Sequence, residues 1–345
     1  MRRAVHISIM IALSTGILVA IVFAVGFERT AKAVADAGVP AFAVVGGLTL
    51  AFLLIQAVAW AILNRPIKHH VPFLTLLKGS IVGVAGNILT PSTYVGGEPL
   101  KILYVARAAR LPYHEVAGTV LLSKYLEAVS FILLLSFSTV VAMVSYRESL
   151  FGPYLGAGVA IAVFTTALLA LCVAMWFSLS RRWRPLTRLL RTLARLPVLR
   201  QRLPGLLRRT RDMEDQVSRV VREEKAAASQ TFGVHVLGHV AIFLKPALFF
   251  YLGAGMGLNL GQLCLLFVVG QALLAVQLTP SGAGVLDTGL IGAFALMGLT
   301  EEHHLAKCMA FLLCLRFWDI LIVGAGAWLA SRAGARVLFW KSRGG

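Results

Sequence analysis

Acidic side chains are scarce in this 345-residue chain. There are 15 Asp plus Glu against 33 Lys plus Arg, a formal net charge of +18. Charged residues of both signs make up 14%, against roughly 25% in an average soluble protein. That shortage excludes a soluble globular enzyme and a disordered chain. Cysteine is also rare: Cys172, Cys264, Cys308 and Cys314 lie in apolar runs and form no CxxC. This excludes a disulfide scaffold and leaves the four thiols as small packing groups. The sequence lacks HExxH, GxSxG, a Walker-type loop and a GxGxxG opening a helix, so no metal, cofactor or nucleophile chemistry is expected.

Apolar residues are plentiful, at 58% of the chain, with a mean hydropathy of +0.81. A charge of +18 would suit nucleic acid, but the basic residues fall between long apolar runs, so no nucleic-acid partner is expected. Runs long enough to span a bilayer, about 20 residues, lie at 5–27, 39–64, 115–145, 151–178, 230–253 and 305–330. The first is too long for a secretory signal and has no clean cleavage site, so it reads as an uncleaved helix. Stretches 71–109 and 259–299 are apolar but broken midway by Pro, Gly and polar residues. From Arg181 to Lys225 there are 14 Lys or Arg and 5 Asp or Glu, so 181–228 lies outside the hydrocarbon. The expected fold is an all-α polytopic membrane protein. It has about six spanning helices and two re-entrant or broken hairpins, in one transmembrane domain over 1–345.

Cytoplasmic loops of membrane proteins are enriched in Lys and Arg. Arg2 and Arg3, Arg65 and Lys68, Arg107 and Arg110, the 181–228 segment, and Arg332 to Arg343 then share the cytoplasmic side. The loop with Glu28, Arg29, Lys32 and Asp36, and the turn at Arg147 and Glu148, face outward. Both termini are inside. The first broken stretch enters and leaves from the cytoplasm, the second from outside.

The two broken stretches resemble each other. Leu89-Thr90-Pro91-Ser92 is followed by Gly96, Gly97 and Glu98. Leu278-Thr279-Pro280-Ser281 is followed by Gly282, Gly284 and Asp287. The step from Thr to acid is the same in both. Each is followed by a helix with a cation three residues before an acid: Lys124 and Glu127, then Arg316 and Asp319. Residues 1–150 and 151–335 therefore read as two repeats, inverted in the membrane. Carriers with inverted repeats bind substrate where paired broken helices meet near the midplane. Irregular backbone persists at that depth only when buried in protein or lining a wet cavity.

A charge at mid-bilayer costs a few kcal/mol or more and needs a partner or a purpose. The candidate substrate site comprises Thr90, Ser92, Gly96, Gly97, Glu98, Lys101, Lys124, Glu127, Thr279, Ser281, Gly282, Gly284, Asp287, Arg316 and Asp319. Glu98 and Lys101, Lys124 and Glu127, and Arg316 and Asp319 are each three apart on one helical face, and mutually neutralising structural pairs stand as the alternative reading. Pro99 suits a first helical turn. The amides of Gly282 to Gly284 open a helix start that favours an anion. With Lys101, Lys124 and Arg316, these features point to a phosphate. Lys78 and Lys245 read as snorkelling side chains. His235 and His239 have zinc-ligand spacing but no acidic third ligand nearby, and read as packing. His303 and His304 fall in an outer loop and need no function. Arg/Leu stretches such as 188–195 suit helices on an anionic leaflet.

The stretch from Asn87 to Lys101, with 278–287 and Arg316-Phe-Trp-Asp319, resembles the flippase-like membrane proteins related to the transmembrane region of lysylphosphatidylglycerol synthase. The resemblance runs from about residue 5 to 335. It implies movement of lipids or lipid-linked groups between leaflets of the bacterial inner membrane. Gly96, Gly97, Glu98, Gly282, Gly284 and Asp287 take the motif positions, with Asp287 where the family commonly has Glu. No counterpart of the soluble aminoacyl-transfer domain of the full synthases is expected, so synthesis is not implied. The expected function is translocation of a phospholipid-like or lipid-linked anionic substrate, with membrane lipids as partners. A carrier of small ions or solutes, a headgroup enzyme, and a scaffold for lipid-biosynthetic enzymes stand as alternatives.

Overall fold

The computed structural model describes residues 26–65, 71–90, 96–150, 152, 155–180, 185–193, 207–208, 210–211, 214–215, 223–275, 282 and 284–332. Among the described residues there are helices and no strands. In chain order they are α1 (Phe27–Asn64), α2 (Phe73–Leu89), α3 (Glu98–Ala108), α4 (Tyr113–Ser145), α5 (Arg147–Leu150), α6 (Leu155–Ser180), α7 (Pro185–Leu193), α8 (Lys225–Ala254), α9 (Leu260–Ala275), α10 (Val285–Leu296) and α11 (Glu302–Arg332). Four of them, α1, α4, α8 and α11, are long and apolar enough to cross a membrane. The shorter α6 is also apolar. The chain is an all-α polytopic membrane protein.

These elements follow the apolar runs read from the sequence, with two differences. The run at 5–27 lies outside the described residues except for its last two. The polar stretch expected as an outer loop, Glu28 to Asp36, is helical and belongs to α1. Its Glu, Arg, Lys and Ala residues are good helix formers, which outweighs the loop-like density of charge. The helix breaks at Gly38, whose φ of 67° suits a residue without Cβ. Pro40 then sits in the first turn of the continuing helix, where its missing N–H is harmless.

The two interrupted stretches form helix pairs. At 1.5 Å rise per residue, α2 (17 residues) and α3 (11 residues) reach about 26 Å and about 17 Å, short of a hydrocarbon core of about 30 Å. They pack antiparallel. A Cβ on Gly79 would meet Val105, one on Gly83 would lie 3.0 Å from Lys101 Cβ, and one on Gly86 would lie 2.8 Å from Gly97 Cα. Three small residues one turn apart thus let the two backbones touch. The second pair, α9 and α10, is closed by Gly289 against Leu273 and by Gly270 against Leu286 and Leu290.

α11 is central. It packs on α1, α2 and α10. Trp318 Nε1 donates to Phe42 O at 3.0 Å, its ring fills the space beside Gly46, and Gly326 faces Ala85. α8 lies along α1 and also touches α4 and α11. One core joins α1, α8, α10 and α11 around Phe249, Phe250, Phe294 and Phe311. A second joins α1 to α2, α3 and α4 around fully buried Trp60. Leu133, Phe137, Val140 and Val144 form an exposed apolar stripe on α4, as expected of a lipid-facing surface. Of the basic 181–228 segment, α7 is described; Thr187 donates through both its backbone N and Oγ1 to Glu214.

Candidate functional site

The matched charges form two acid–cation–acid triads. In the first half Lys124 Nζ lies 3.3 Å from Glu98 and 3.0 Å from Glu127. In the second, Arg316 lies 3.0 Å from Asp287 and 3.6 Å from Asp319. Each triad joins the start of a short helix, α3 or α10, to the following long helix, α4 or α11. Lys101 is only within electrostatic reach of Glu98, but the other two i,i+3 pairs read from the sequence, Lys124–Glu127 and Arg316–Asp319, are present as ion pairs. They form only half of each arrangement, because each cation also holds the tip acid.

Glu98 is thus bound across helices to Lys124, rather than standing only over Lys101 on its own helix. Lys101 is buried, with its Nζ 4.5 Å from the centre of the Trp60 ring. A cation over an indole face gains from the ring quadrupole, more so when desolvated. Trp60 is fixed by its Nε1 donating to Thr119 Oγ1 at 2.9 Å. Glu98 Oε2 is buried and has no hydrogen-bond partner among the described residues. Asp287 is fully buried. Its Oδ1 faces Arg316, and its Oδ2 accepts from the Gly284 amide at 2.8 Å.

That last bond corrects one expectation. One amide at each tip is not bare. Gly284 N is capped by Asp287, and Gly97 N donates to Asn87 Oδ1 at 2.6 Å. The tips favour negative charge, but these two N–H groups already have acceptors from the chain. Thr90 Oγ1 donates to Gly86 O at 3.0 Å, and a Cβ on Gly96 would collide with Thr90. Gly97 lies so close to the Gly83 carbonyl that no side chain fits. Gly282 and Gly284 have φ of 65° and 87°, so both tips need glycine, the first for space and the second for backbone conformation. Ser92, Thr279 and Ser281 lie outside the described residues, as does the expected meeting of the two tips.

α8 borders both triads. His235 and His239 face Glu127 and Lys124, and Lys101 is within electrostatic reach of His235. Further along the same helix Lys245 faces Asp319. Six residues of helix separate His239 from Lys245, a rise of about 9 Å. Lys245 therefore lies within electrostatic reach of the second triad. Glu127, on another helix, is an acid within electrostatic reach of both histidines, but the three are not gathered as metal ligands. The sequence carried the i,i+4 histidine signal but no sign of that partner.

Where α1 and α11 begin, a cavity of about 630 Å³ is lined by residues including Arg29, Lys32, Asp36, Glu301, Glu302 and Lys307. Arg29 pairs with Glu302 at 2.5 Å and His303 with Glu301 at 3.0 Å. His303 and His304 sit in the first turn of α11 rather than in a loop. Donor atoms of Glu301, His303 and His304 lie within 4.8 Å of one another, on largely exposed side chains.

The model of the family described as "Lysylphosphatidylglycerol synthase TM region" matches residues 7–324. A "UPF0104 membrane protein" of Methanothermobacter thermautotrophicus is 24% identical over 283 residues, 81% of this chain and 82% of that protein. A second UPF0104 membrane protein, from Pyrococcus horikoshii, is 25% identical over 126 residues, 36% of this chain and 38% of that one. No solved structure matches. With the match running through both helix pairs and both triads, the chain belongs to the lysylphosphatidylglycerol synthase transmembrane-region family.

Proposed function

We propose that this protein moves a phospholipid-like or lipid-linked anionic substrate between the leaflets of the bacterial inner membrane. It acts as a carrier and not as an enzyme. The two helix pairs α2–α3 and α9–α10 are re-entrant hairpins of two inverted repeats, with N-terminus, C-terminus and 181–228 in the cytoplasm. Glycine-closed hairpins too short to span, placed alike in two halves, support the repeats, and the spacing of Lys- and Arg-rich segments between the apolar runs supports the topology.

The observation that carries the reading is the pair of matched triads. A charge inside a membrane protein is retained where it is paired or functional, and here each partly buried cation is shared between two carboxylates. Such a cation can exchange one carboxylate for a phosphate oxygen without being left bare. Arg316 offers a planar fork for this exchange, while Lys124 offers a point charge. Lys101 and Lys245 bring each cluster to two acids and two cations, so an incoming anion meets balanced charge. Exposed apolar side chains on α4 suit acyl chains beside the protein.

Native mass spectrometry of the protein purified in mild detergent tests the substrate class. Retention of anionic phospholipid or lipid-linked phosphate, lost in Lys124→Gln with Arg316→Gln, is the expected result. Retention unchanged in that variant removes the triads from binding, and a retained water-soluble ion would favour a solute carrier.

A further inference from the structure

The two charge clusters differ in one respect. The second triad has Lys245, Cys308 and Cys314 as titratable neighbours. The first has two imidazoles. His235 is 1% exposed and His239 5%, four residues apart on α8. Ser130 Oγ donates to Glu127 O at 2.8 Å and lies 2.9 Å from His239 Nδ1. A hydroxyl has one proton to give, so Nδ1–H of His239 donates to Ser130. Nε2 is then the lone-pair nitrogen of the neutral ring. His235 Nε2 lies 3.3 Å from Ser123 Oγ, and its Nδ1 is buried with no hydrogen-bond partner among the described residues. The charged groups facing this pair are Glu127 and Lys124 from α4 and Lys101 from α3; Phe131 of α4 and Phe52 of α1 close around the His239 ring.

Charge balance gives this pair a role. Glu98 and Glu127 match Lys101 and Lys124, so the cluster is formally neutral. A proton on either imidazole would add an unmatched buried charge, which is costly in low dielectric. A phosphodiester bound beside Lys101 and Lys124 brings one negative charge and supplies the match. Proton and anion each lower the cost of binding the other, and that coupling is reciprocal.

We propose that His235 and His239, with Glu127, form a proton-binding site that is filled when an anionic lipid headgroup occupies the first triad, making translocation proton-coupled. The proposal rests on the lipid-carrier reading above and adds its driving ion. The proton moves from solvent to an imidazole lone pair as the headgroup binds, and leaves when the headgroup leaves; no covalent bond to the lipid is made or broken.

Isothermal titration with dihexanoyl phosphatidylglycerol below its micelle concentration, in two buffers of different ionisation enthalpy, tests this on the intact wild-type protein. The expected result is uptake of about one proton per lipid, with affinity weakening by about tenfold per pH unit as the pH rises above the site's titration range. Dihexanoyl phosphatidylcholine, which carries no net charge, should bind without uptake. In His235→Gln with His239→Gln, phosphatidylglycerol binding should lose its buffer-dependent heat and its pH dependence. Phosphatidylglycerol binding with no proton uptake overturns the coupling and leaves the carrier reading standing. Equal uptake with both lipids, or uptake that persists in the double variant, overturns the assignment to charge balance or to these histidines. Absence of any phosphatidylglycerol binding refutes the carrier reading, and the coupling falls with it.

Discussion

Asp287 and Arg316 allow the triad geometry to be tested through stability. Asp287 is fully buried, and the Arg316 side chain is 12% exposed. Removing one partner of a buried pair strands the other and typically costs about 3–5 kcal/mol. Arg316→Gln does this to Asp287, which keeps the Gly284 amide but loses its countercharge. Asp319 is less affected, because it is more exposed and Lys245 faces it. Asp287→Asn is a different perturbation. Asparagine retains an acceptor for Gly284, and Arg316 retains Asp319, so the loss is nearer that of one charged hydrogen bond, about 1.5–3 kcal/mol. Adding Asp287→Asn to Arg316→Gln removes the stranded charge and should recover stability. At roughly 2 °C per kcal/mol for a chain of this size, Arg316→Gln should lower the unfolding midpoint by about 6–10 °C and Asp287→Asn by about 3–6 °C. The double variant should resemble Asp287→Asn. Thermal unfolding of detergent-solubilised protein, followed by tryptophan fluorescence, reads these shifts. Equal losses in the two single variants, or a double-variant loss equal to their sum, would refute the triad as the source of the effect.

Gly97→Ala should destabilise by about 1–3 kcal/mol through overpacking, because its methyl group meets the Gly83 carbonyl; an unchanged midpoint in the same melt would mean that α2 and α3 are not in this contact. Glu98→Gln leaves Lys124 with Glu127 and should insert normally while cutting lipid translocation at least tenfold in vesicles; wild-type translocation by Glu98→Gln combined with Asp287→Asn would remove the tip acids from the mechanism. Cysteines introduced at Ser149 and Ser218 should label differently with an impermeant thiol reagent on intact cells, Ser149 reacting and Ser218 protected. The reverse pattern would invert the proposed topology.

The broken stretches, their boundaries and the pairing of Lys124 with Glu127 and Arg316 with Asp319 were legible in the sequence. Apolar runs, Gly and Pro interruptions, and i,i+3 spacing are local signals, and helices preserve them. The links from Glu98 to Lys124 and from Asp287 to Arg316 were not legible, because each joins two helices. The consequence is practical. Deleting Lys124 with Glu127 looks self-contained in sequence, yet it also removes the cation that Glu98 pairs with across helices. Glu127 beside His235 and His239 was hidden for the same reason, since over a hundred residues separate them. Lys245 reads as a lone cation in the sequence because Asp319, within its electrostatic reach, is on α11. The helical segment from Phe27 to Ala37 is not legible in the sequence, because its charge density is that of a loop while its helix propensity is a weaker signal. Its charged side chains lie at the end of the bundle, where water reaches them and a helix costs nothing extra.

The central claim, that anionic lipid crosses the membrane by way of the two triads, is tested most directly by reconstituting the protein into vesicles containing fluorescent, headgroup-intact phosphatidylglycerol. Dithionite, which bleaches only outer-leaflet dye, then reports movement between leaflets. The account predicts loss of more than half the fluorescence with wild-type protein. It predicts bleaching that stops near half with Lys124→Gln and with Arg316→Gln, provided each variant is reconstituted at equal density. Bleaching that stops near half with wild-type protein, or continues past it in both variants, would contradict the account.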